Sequence, residues 1–489
     1  MQRLRIFIDP RIKTLYGPEI CWTWRLLLGG IGYTWEEVFE KSSECEVAYL
    51  VSFQDSPKCK ICIKADPDRW ARKSHWRLET LRSTDGLLHP VFNGEPYASL
   101  GFSMKEGCLI CDRDIIFDIF WSVTGQEEKH WPKNKHGFFD LNGATFLREQ
   151  ALRLAPGSAI GRWLENKLSK LFSVPPVPRW PQGKKAAVCL SHDVDNPEIS
   201  RLLEPIHLIW RQGLSGLRPA ISILTGSKNY WNFSSWIQME KEYDIQSAFY
   251  FSAQHGSLIK YLRGTPDPFY DVRSEQFKEV FHQLTEEGFE IGLHASYRAF
   301  ESKERFESEK NLLQLVSGQE IRGNRHHFWH LNPDDVESTL FLHEKVGLKY
   351  DTSLTHERYI GWRRNLSWPF FPFLQKERRE SKTLEISTTW MDDHLFGYLK
   401  WNPGDRMETL QSLADTTAGQ GGCLLIDVHD YVFDETLFPG WRKSYQRLLE
   451  VLINHSDFWI AKPIEIAQHW IERYESIVRE STGLNEGLK

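Results

Sequence analysis

Beyond residue 185 the chain repeats one pattern, and that pattern limits what it can fold into more than any other feature. Short apolar runs at 186–190, 247–251, 289–293, 347–350, 384–387, 423–428 and 458–461 alternate with longer stretches, of which 274–287, 303–315 and 333–346 carry helical periodicity. Strands separated by helices imply a parallel sheet, because a strand returning in the same direction needs a crossover. About seven such units make an α/β barrel the economical architecture, with its chemistry at the C-terminal ends of the strands.

The boundary of that unit is visible. Residues 174–183 read Val-Pro-Pro-Val-Pro-Arg-Trp-Pro-Gln-Gly, which cannot continue a helix and favours extended backbone. The expected plan is an N-terminal α+β domain over 1–173, a Pro-rich linker over 174–184, the barrel over 185–475 and a tail over 476–489. Within the first unit, 19–28 and 35–40 read as helical, 45–53 as a strand and 158–172 as an amphipathic helix leading into the linker. No nucleophile or ligand cluster is apparent there.

Composition excludes some classes. Sixty Lys and Arg against 66 Asp and Glu give a net charge of -6, and no long single-sign run is present, so binding to nucleic acid or anionic lipid is not expected. No membrane span and no signal peptide is apparent, and a cytoplasmic setting is expected. The 20 Trp supply flat faces suited to sugar rings, although such residues mostly pack cores. Oligomeric state is not legible.

Eight cysteines are too few for a disulfide framework in a chain this long. Cys59-Lys-Ile-Cys62 and Cys108-Leu-Ile-Cys111 have the nominal spacing of a four-thiolate zinc site. Both segments look like strands, however, in which residues three apart face opposite ways. Buried cysteines in two neighbouring strands are therefore the favoured expectation.

Polar groups gather where the apolar runs stop. The first ends in Ser191-His192-Asp193-Val194-Asp195, the third in His294-Ala-Ser-Tyr297, and later segments hold Arg325-His326-His327-Phe-Trp329-His330, Tyr350-Asp351 and Asp427-Val-His429-Asp430. Any one of these reads equally well as a polar turn or a core histidine. Together they place Asp, His and Arg at five strand ends.

The runs SHDVDNP, FEIGLHASY, RHHFW, YDTSL and VHD resemble, in order, the five motif regions of polysaccharide deacetylases of the NodB-homology, or carbohydrate esterase family four, type. The resemblance spans roughly 185–470 and implies a distorted (β/α)7-type barrel. Residues 117–120, 125–128 and 138–149 are similar to the accessory domain that accompanies such enzymes in bacterial surface-polysaccharide loci. The implied activity is metal-dependent hydrolysis of an amide, as N-deacetylation of an acylated amino sugar or glycan precursor. A deacylase acting on a non-sugar amide and a metal-free relative that only binds glycan or a partner are the alternatives.

The resemblance also implies roles. Asp193 corresponds to the general base, Asp195 and His294 to metal ligands, Arg325 to an arginine that orients the base, His429 to the histidine that protonates the leaving amine, and Asp351 to the carboxylate that orients His429. One position departs from the family: four residues after His294, where a second histidine is usual, stands Arg298, which cannot ligate. Ser296 and Tyr297 are weak substitutes, and register with the Arg-x-His pattern makes His327 the expected third ligand, His326 and His330 being structural. Asp, His and His suit zinc first, with Co, Ni or Mn also fitting. Tyr297, Trp329 and Trp390 are the expected substrate contacts. The aromatic runs at 362–373 and 389–392 could wall a pocket or simply pack a core.

Overall fold

The computed structural model describes residues 3–40, 44–55, 57–72, 78–84, 87–92, 102–134, 152–198, 204–356, 358–394 and 403–482. The stretch 138–149 used in the accessory-domain resemblance lies outside them.

Six strands form the N-terminal sheet: β1 (Leu4–Ile8), β2 (Trp35–Val38), β3 (Cys45–Leu50), β4 (Cys59–Lys64), β5 (Phe102–Lys105) and β6 (Cys108–Cys111), in the order β2-β1-β3-β4-β6-β5. All neighbours are parallel except the β5–β6 hairpin, so the expected α+β unit is built largely on crossovers. Helices α1 (Pro10–Ile31), α2 (Ile115–Val123) and α3 (Pro156–Leu171) contact one another. Asp9 starts α1 by accepting the Arg11 amide at 3.0 Å, with Pro10 in the first turn, and Gly32 ends it at φ 91°. The expected helix at 35–40 is instead β2, with Leu4 opposite Trp35. Trp-Glu-Glu-Val-Phe-Glu fits a period of two as well as 3.6, and pairing with β1 decides the matter.

The barrel strands are β7 (Ala186–Val194), β8 (Ala248–Phe251), β9 (Glu290–Ala295), β10 (Gly323–His326), β11 (Tyr350–Asp351), β12 (Leu384–Glu385), β13 (Thr388–Met391), β14 (Cys423–Asp427) and β15 (Phe458–Ile460). They run β12-β11-β10-β9-β8-β7-β14-β13, all parallel, with β15 also on β7. The two edge strands are consecutive in sequence: β12 pairs with β11, and only two residues later β13 pairs with β14. The single stretch 384–391 therefore closes the sheet and counts as one stave, alongside β11, β10, β9, β8, β7 and β14. That is the (β/α)7-type barrel expected from the sequence.

Outside the barrel lie α4 (Glu204–Gln212), α5 (Leu217–Leu224), α6 (Phe233–Glu242), α7 (Leu258–Leu262), α8 (Glu275–Glu286), α9 (Lys303–Ser317), α10 (Val336–Lys345), α11 (Pro403–Gln420), α12 (Trp441–Asn454) and α13 (Pro463–Thr482). The tail expected from 476 is helical as far as Thr482, where the buried Ser481 hydroxyl accepts the Trp35 amide at 3.0 Å.

The two units are not energetically separate. One core cluster runs from Leu4, Trp22 and Leu27 through Trp180 to Tyr350, Leu384 and Trp470. Trp22 Nε1 donates to the Phe371 carbonyl at 3.1 Å, Arg473 donates to the Gly29 carbonyl at 2.7 Å, and Arg363 forks onto Glu128 at 2.9 and 3.0 Å. Buried donors spent across the boundary fix how the units dock.

Candidate active site

Strand alternation sorts the first motif. Ser191 and Asp193, two apart on β7, both reach Arg325, whereas His192 faces the helical layer, held between the Val428 carbonyl and Glu240 at 2.8 Å each. His192 is thus a satisfied core histidine beside Trp236 and Tyr445.

Arg325 is fully buried and makes the centre of the polar interior. It donates to Asp193 Oδ1 at 2.8 Å, Asp427 Oδ1 at 2.6 Å, the Ser191 hydroxyl at 2.8 Å and the Thr352 hydroxyl at 3.1 Å, with its plane 4.6 Å from the Tyr250 ring. Burial alone would raise the Asp193 carboxyl, but Arg325, then His294 and His429, hold it below the ordinary range. For Asp427 burial prevails over Arg325, and the charge of Asp193 adds to it, so that carboxyl is pushed up. One guanidinium thus serves two carboxyls and keeps Asp193 the ionised one.

Asp195 lies past the end of β7, its amide donating to Asp430 at 3.1 Å. Its Oδ1 is 3.2 Å from His294 Nε2 and 3.5 Å from His327 Nε2. Both imidazoles are buried, and the His294 ring is fixed by a 3.0 Å bond from Nδ1 to the carbonyl of Arg325, its neighbour across the β9–β10 pairing. That bond leaves Nε2 as the lone-pair nitrogen facing Asp195. Asp195 Oδ1 is nonetheless a buried oxygen with no hydrogen-bond partner. A tetrahedral ion with ligand distances of about 2.0–2.1 Å needs its ligands roughly 3.3 Å apart. The spacing, the donor set and the unpaired oxygen all fit a divalent metal at Asp195, His294 and His327. With no metal bound, burial opposes the charge on Asp195, but His327 and His294 in their cationic form outweigh it and hold the carboxyl well below its usual range.

Arg298 is outside this site, its side chain 44% exposed and its guanidinium 3.5 Å from Glu301. Ser296 is likewise occupied, donating from its amide at 2.8 Å and its hydroxyl at 2.5 Å to the buried Glu309. The third imidazole comes instead from the turn after β10, where Phe328 takes φ 56° and Trp329 φ 49°. Two consecutive left-handed residues without glycine are strained, and they set the direction in which His327 leaves the strand.

His429 faces the pair from the opposite side, its Nε2 3.6 Å from Asp195 Oδ2. Its orienting carboxylate is not Asp351. Asp392, directly after β13, accepts from His429 Nδ1 at 2.8 Å and from the His429 amide at 2.9 Å. Asp351 spends its oxygens on Asn324 at 2.6 Å and on the Ser353 amide and hydroxyl at 2.8 and 2.9 Å, which brace the turn after β11. Burial disfavours the imidazolium of His429, but Asp392, then Asp195 and Asp427, raise it well above the ordinary histidine range.

The expected aromatic contacts are mostly closed off. Trp390 is 3% exposed and belongs to the barrel core, and Tyr297 is stacked on His330 with ring centroids 3.8 Å apart. Trp329 is 9% exposed, whereas its neighbour Phe328 is 41% exposed with its ring 4.5 Å from that of His327. His326 and His330 are structural, bonded to His343 at 2.9 Å and to the Tyr297 carbonyl at 2.7 Å. Asp392 and Asp427 are the two carboxylates that join the cluster without having been assigned a role from sequence. Asp427 had a signal, since it stands two residues before His429 at the end of a strand.

No known family model matches the chain, and no curated protein matches it in sequence. Among solved structures matched at probability 1.00 are PuuE allantoinase, 17% identical with a TM-score of 0.42 over 61% of this chain and 95% of that one, and a protein of Pseudomonas aeruginosa PAO1 described as a probable polysaccharide deacetylase, 16% identical with a TM-score of 0.41 over the same shares. Peptidoglycan deacetylase PdaC from Bacillus subtilis is matched at 12% identity and a TM-score of 0.26, over 61% of this chain and 98% of that one. Polysaccharide deacetylases are thus among the solved structures that this chain resembles.

Proposed function

We propose that the barrel is a metal-dependent amide hydrolase of the NodB-homology type, which removes the acyl group from an N-acylated amino sugar of a surface-glycan precursor. The observation that carries this reading is the unpaired Asp195 Oδ1 facing two imidazole nitrogens, flanked on one side by an ionised Asp193 and on the other by a carboxylate-held His429. Zinc bound by Asp195, His294 and His327 would polarise the amide carbonyl and lower the pKa of water.

The chain's own residues supply the proton transfers. Asp193 accepts the proton of the attacking water, and Arg325 keeps it available by favouring its ionised form. His429 carries a proton on Nε2 and delivers it to the departing nitrogen, while Asp392 fixes Nδ1 and stabilises the imidazolium. Phe328 offers the exposed flat face beside His327 for a sugar ring.

Purified protein loaded with zinc or cobalt, incubated with N-acetylated amino sugars and their glycosides, is expected to release acetate in a manner abolished by Asp193→Asn. Release from non-sugar N-acyl amides alone would move the assignment to that substrate class. Metal-loaded protein that hydrolyses neither class would sink it.

A further inference from the structure

The N-terminal sheet brings together four cysteines, but not the four whose spacing suggests a site. Cys59 Sγ lies 3.0 Å from Cys62 Sγ and 3.7 Å from Cys108 Sγ, and Cys108 lies 3.5 Å from Cys62. Cys45 is the partner of Cys59 across the β3–β4 pairing, and the neighbouring Cys59 thiol, with burial, pushes the Cys45 thiol up. Cys111 is elsewhere, its thiol 3.3 Å from the Arg113 carbonyl. Convergence contradicts the expectation that residues three apart in β4 must diverge. Cys59 is the first residue of β4, paired with β3 only, since β6 joins from Ile61 onward, so regular alternation does not hold that end of the strand flat.

We propose that Cys45, Cys59, Cys62 and Cys108 bind one zinc ion as a structural staple across β3, β4 and β6. A tetrahedral Zn–S site with bonds of about 2.3 Å sets its sulfurs roughly 3.8 Å apart, so Cys59, Cys62 and Cys108 need only sub-ångström adjustment, and Cys45, outside their close group, swings in from the neighbouring strand as the fourth ligand. A set of four sulfurs closes the coordination shell, as a structural site requires, and thiolates select zinc over harder ions. Cys45 and Cys62 are buried and Cys59 and Cys108 half-buried, which leaves a path for the ion. The staple ties the N-terminal ends of three adjacent parallel strands, far in sequence from any residue of the active site.

Full-length protein purified under reducing conditions is expected to hold about one zinc that survives the combined His294→Ala and His327→Ala substitutions and is lost with Cys59→Ser plus Cys62→Ser. Cobalt substitution gives a readout that begins with the unmodified protein and needs only single substitutions thereafter. Thiolate-to-cobalt charge-transfer bands in the unmodified protein, unchanged in Cys111→Ser and weakened in Cys45→Ser, support the site. Absence of those bands overturns it, as does their loss in Cys111→Ser with retention in Cys45→Ser, or a Cys59–Cys62 disulfide in zinc-free protein under the same reducing conditions.

The connections that follow β7 and β8 carry a separate set of exposed apolar side chains. Helices α4 and α5 and the turn between them expose Ile206, Trp210, Leu214, Leu217, Ile221 and Leu224, with Trp210 at 85% and Leu214 at 87%. On the adjoining strand's connection, α7 exposes Leu258, Ile259 and Leu262. From residue 205 to 239 there is no Asp or Glu but Arg211, Arg218 and Lys228, and from 245 to 266 none but Lys260 and Arg263, in a chain whose net charge is -6. The whole-chain balance conceals this local sign. The helices connect directly to the chemistry: Tyr230 packs on Tyr431 at 5.8 Å, Tyr431 on His429 at 5.3 Å, and Lys228 pairs with Asp434.

We infer that this face docks on an anionic lipid bilayer, so that the amino sugar deacylated at the site is one carried on a lipid at the membrane surface; the substrate part rests on the hydrolase reading above. Exposed Trp and Leu on short amphipathic helices with basic flanks are what an interfacial surface requires, and no described helix is long and apolar enough to span instead. Sedimentation of the full-length protein with phosphatidylcholine vesicles, with and without phosphatidylglycerol, tests it. Binding should need phosphatidylglycerol, weaken with salt, and fall by more than about tenfold in Trp210→Asp with Leu214→Asp. Equal or absent binding to both vesicles overturns the inference, as does a wild-type dimer that the same variant converts to monomer. A protein that docks yet hydrolyses nothing would overturn the hydrolase reading and leave the docking intact.

Discussion

Asp392 grips His429 at two points, accepting from its ring Nδ1 at 2.8 Å and from its backbone amide at 2.9 Å. The first contact is the leading favourable cause of the raised His429 pKa. Asp392→Asn should therefore lower that pKa and move the alkaline limb of kcat/KM to lower pH, with a loss of roughly 10- to 1000-fold at neutral pH. Asp351→Asn, by contrast, should leave the limb in place and reduce thermal stability. A pH–rate profile of both variants separates the two carboxylates.

The proposed metal ligands make a contrast with Arg298. His294→Ala and His327→Ala should each weaken metal binding by at least about a hundredfold, measured by competition with a chromophoric chelator. Arg298→Ala, on the surface beside Glu301, should change neither metal affinity nor stability by more than about 0.5 kcal/mol. A strong effect of Arg298→Ala would place the third ligand wrongly.

Arg325 is the residue whose loss should be most costly to the fold. Arg325→Met leaves Asp193 and Asp427 buried without their cation, a penalty of about 3–5 kcal/mol in urea denaturation. In protein that remains folded, the Asp193 carboxyl loses the group that holds its pKa down, so the acid limb of the rate profile should move to higher pH.

Glu290 gives a pH dependence of stability remote from the chemistry. Burial pushes its pKa up to about 7, against the opposing bonds from Tyr350 at 2.5 Å and the Ile464 amide at 2.9 Å. A raised folded-state pKa means stability complete below the ordinary value near 4.5 and lost as pH climbs towards 7. Glu290→Gln can still accept from Ile464 while its amide donates to the Tyr350 oxygen. Its melting temperature should fall less than that of the wild type between pH 5 and 8, a difference of order 2 kcal/mol at the upper end.

Much of this architecture is written locally. Each long barrel strand is apolar enough to be buried on both faces and stops in a group with chemistry, so β7, β9 and β14 and their terminal Asp193, His294 and His429 can be read directly. Short strands are read less well: the run at 347–350 meets β11 only at Tyr350, the run at 384–387 contains the two residues of β12, and β10, Gly-Asn-Arg-His, has no apolar signal because its side chains serve the polar interior. Asp392 was hidden for a related reason. Its role depends on β13 lying beside β14, a pairing that joins the ends of the sheet and has no local sign. The cysteines show the reverse: regular alternation predicts that Cys59 and Cys62 diverge, and the start of β4, paired on one side only, brings them together.

The stretch 384–391 that joins the two edges of the sheet ends directly at Asp392. Completion of the barrel and placement of His429, the proposed proton donor, are consequently one event. An excursion that unzips this seam would release His429 while the rest of the sheet stays paired, so the chemistry has a threshold of its own, below that of global unfolding. Amide exchange at Trp390 and Met391 would report how often that threshold is crossed.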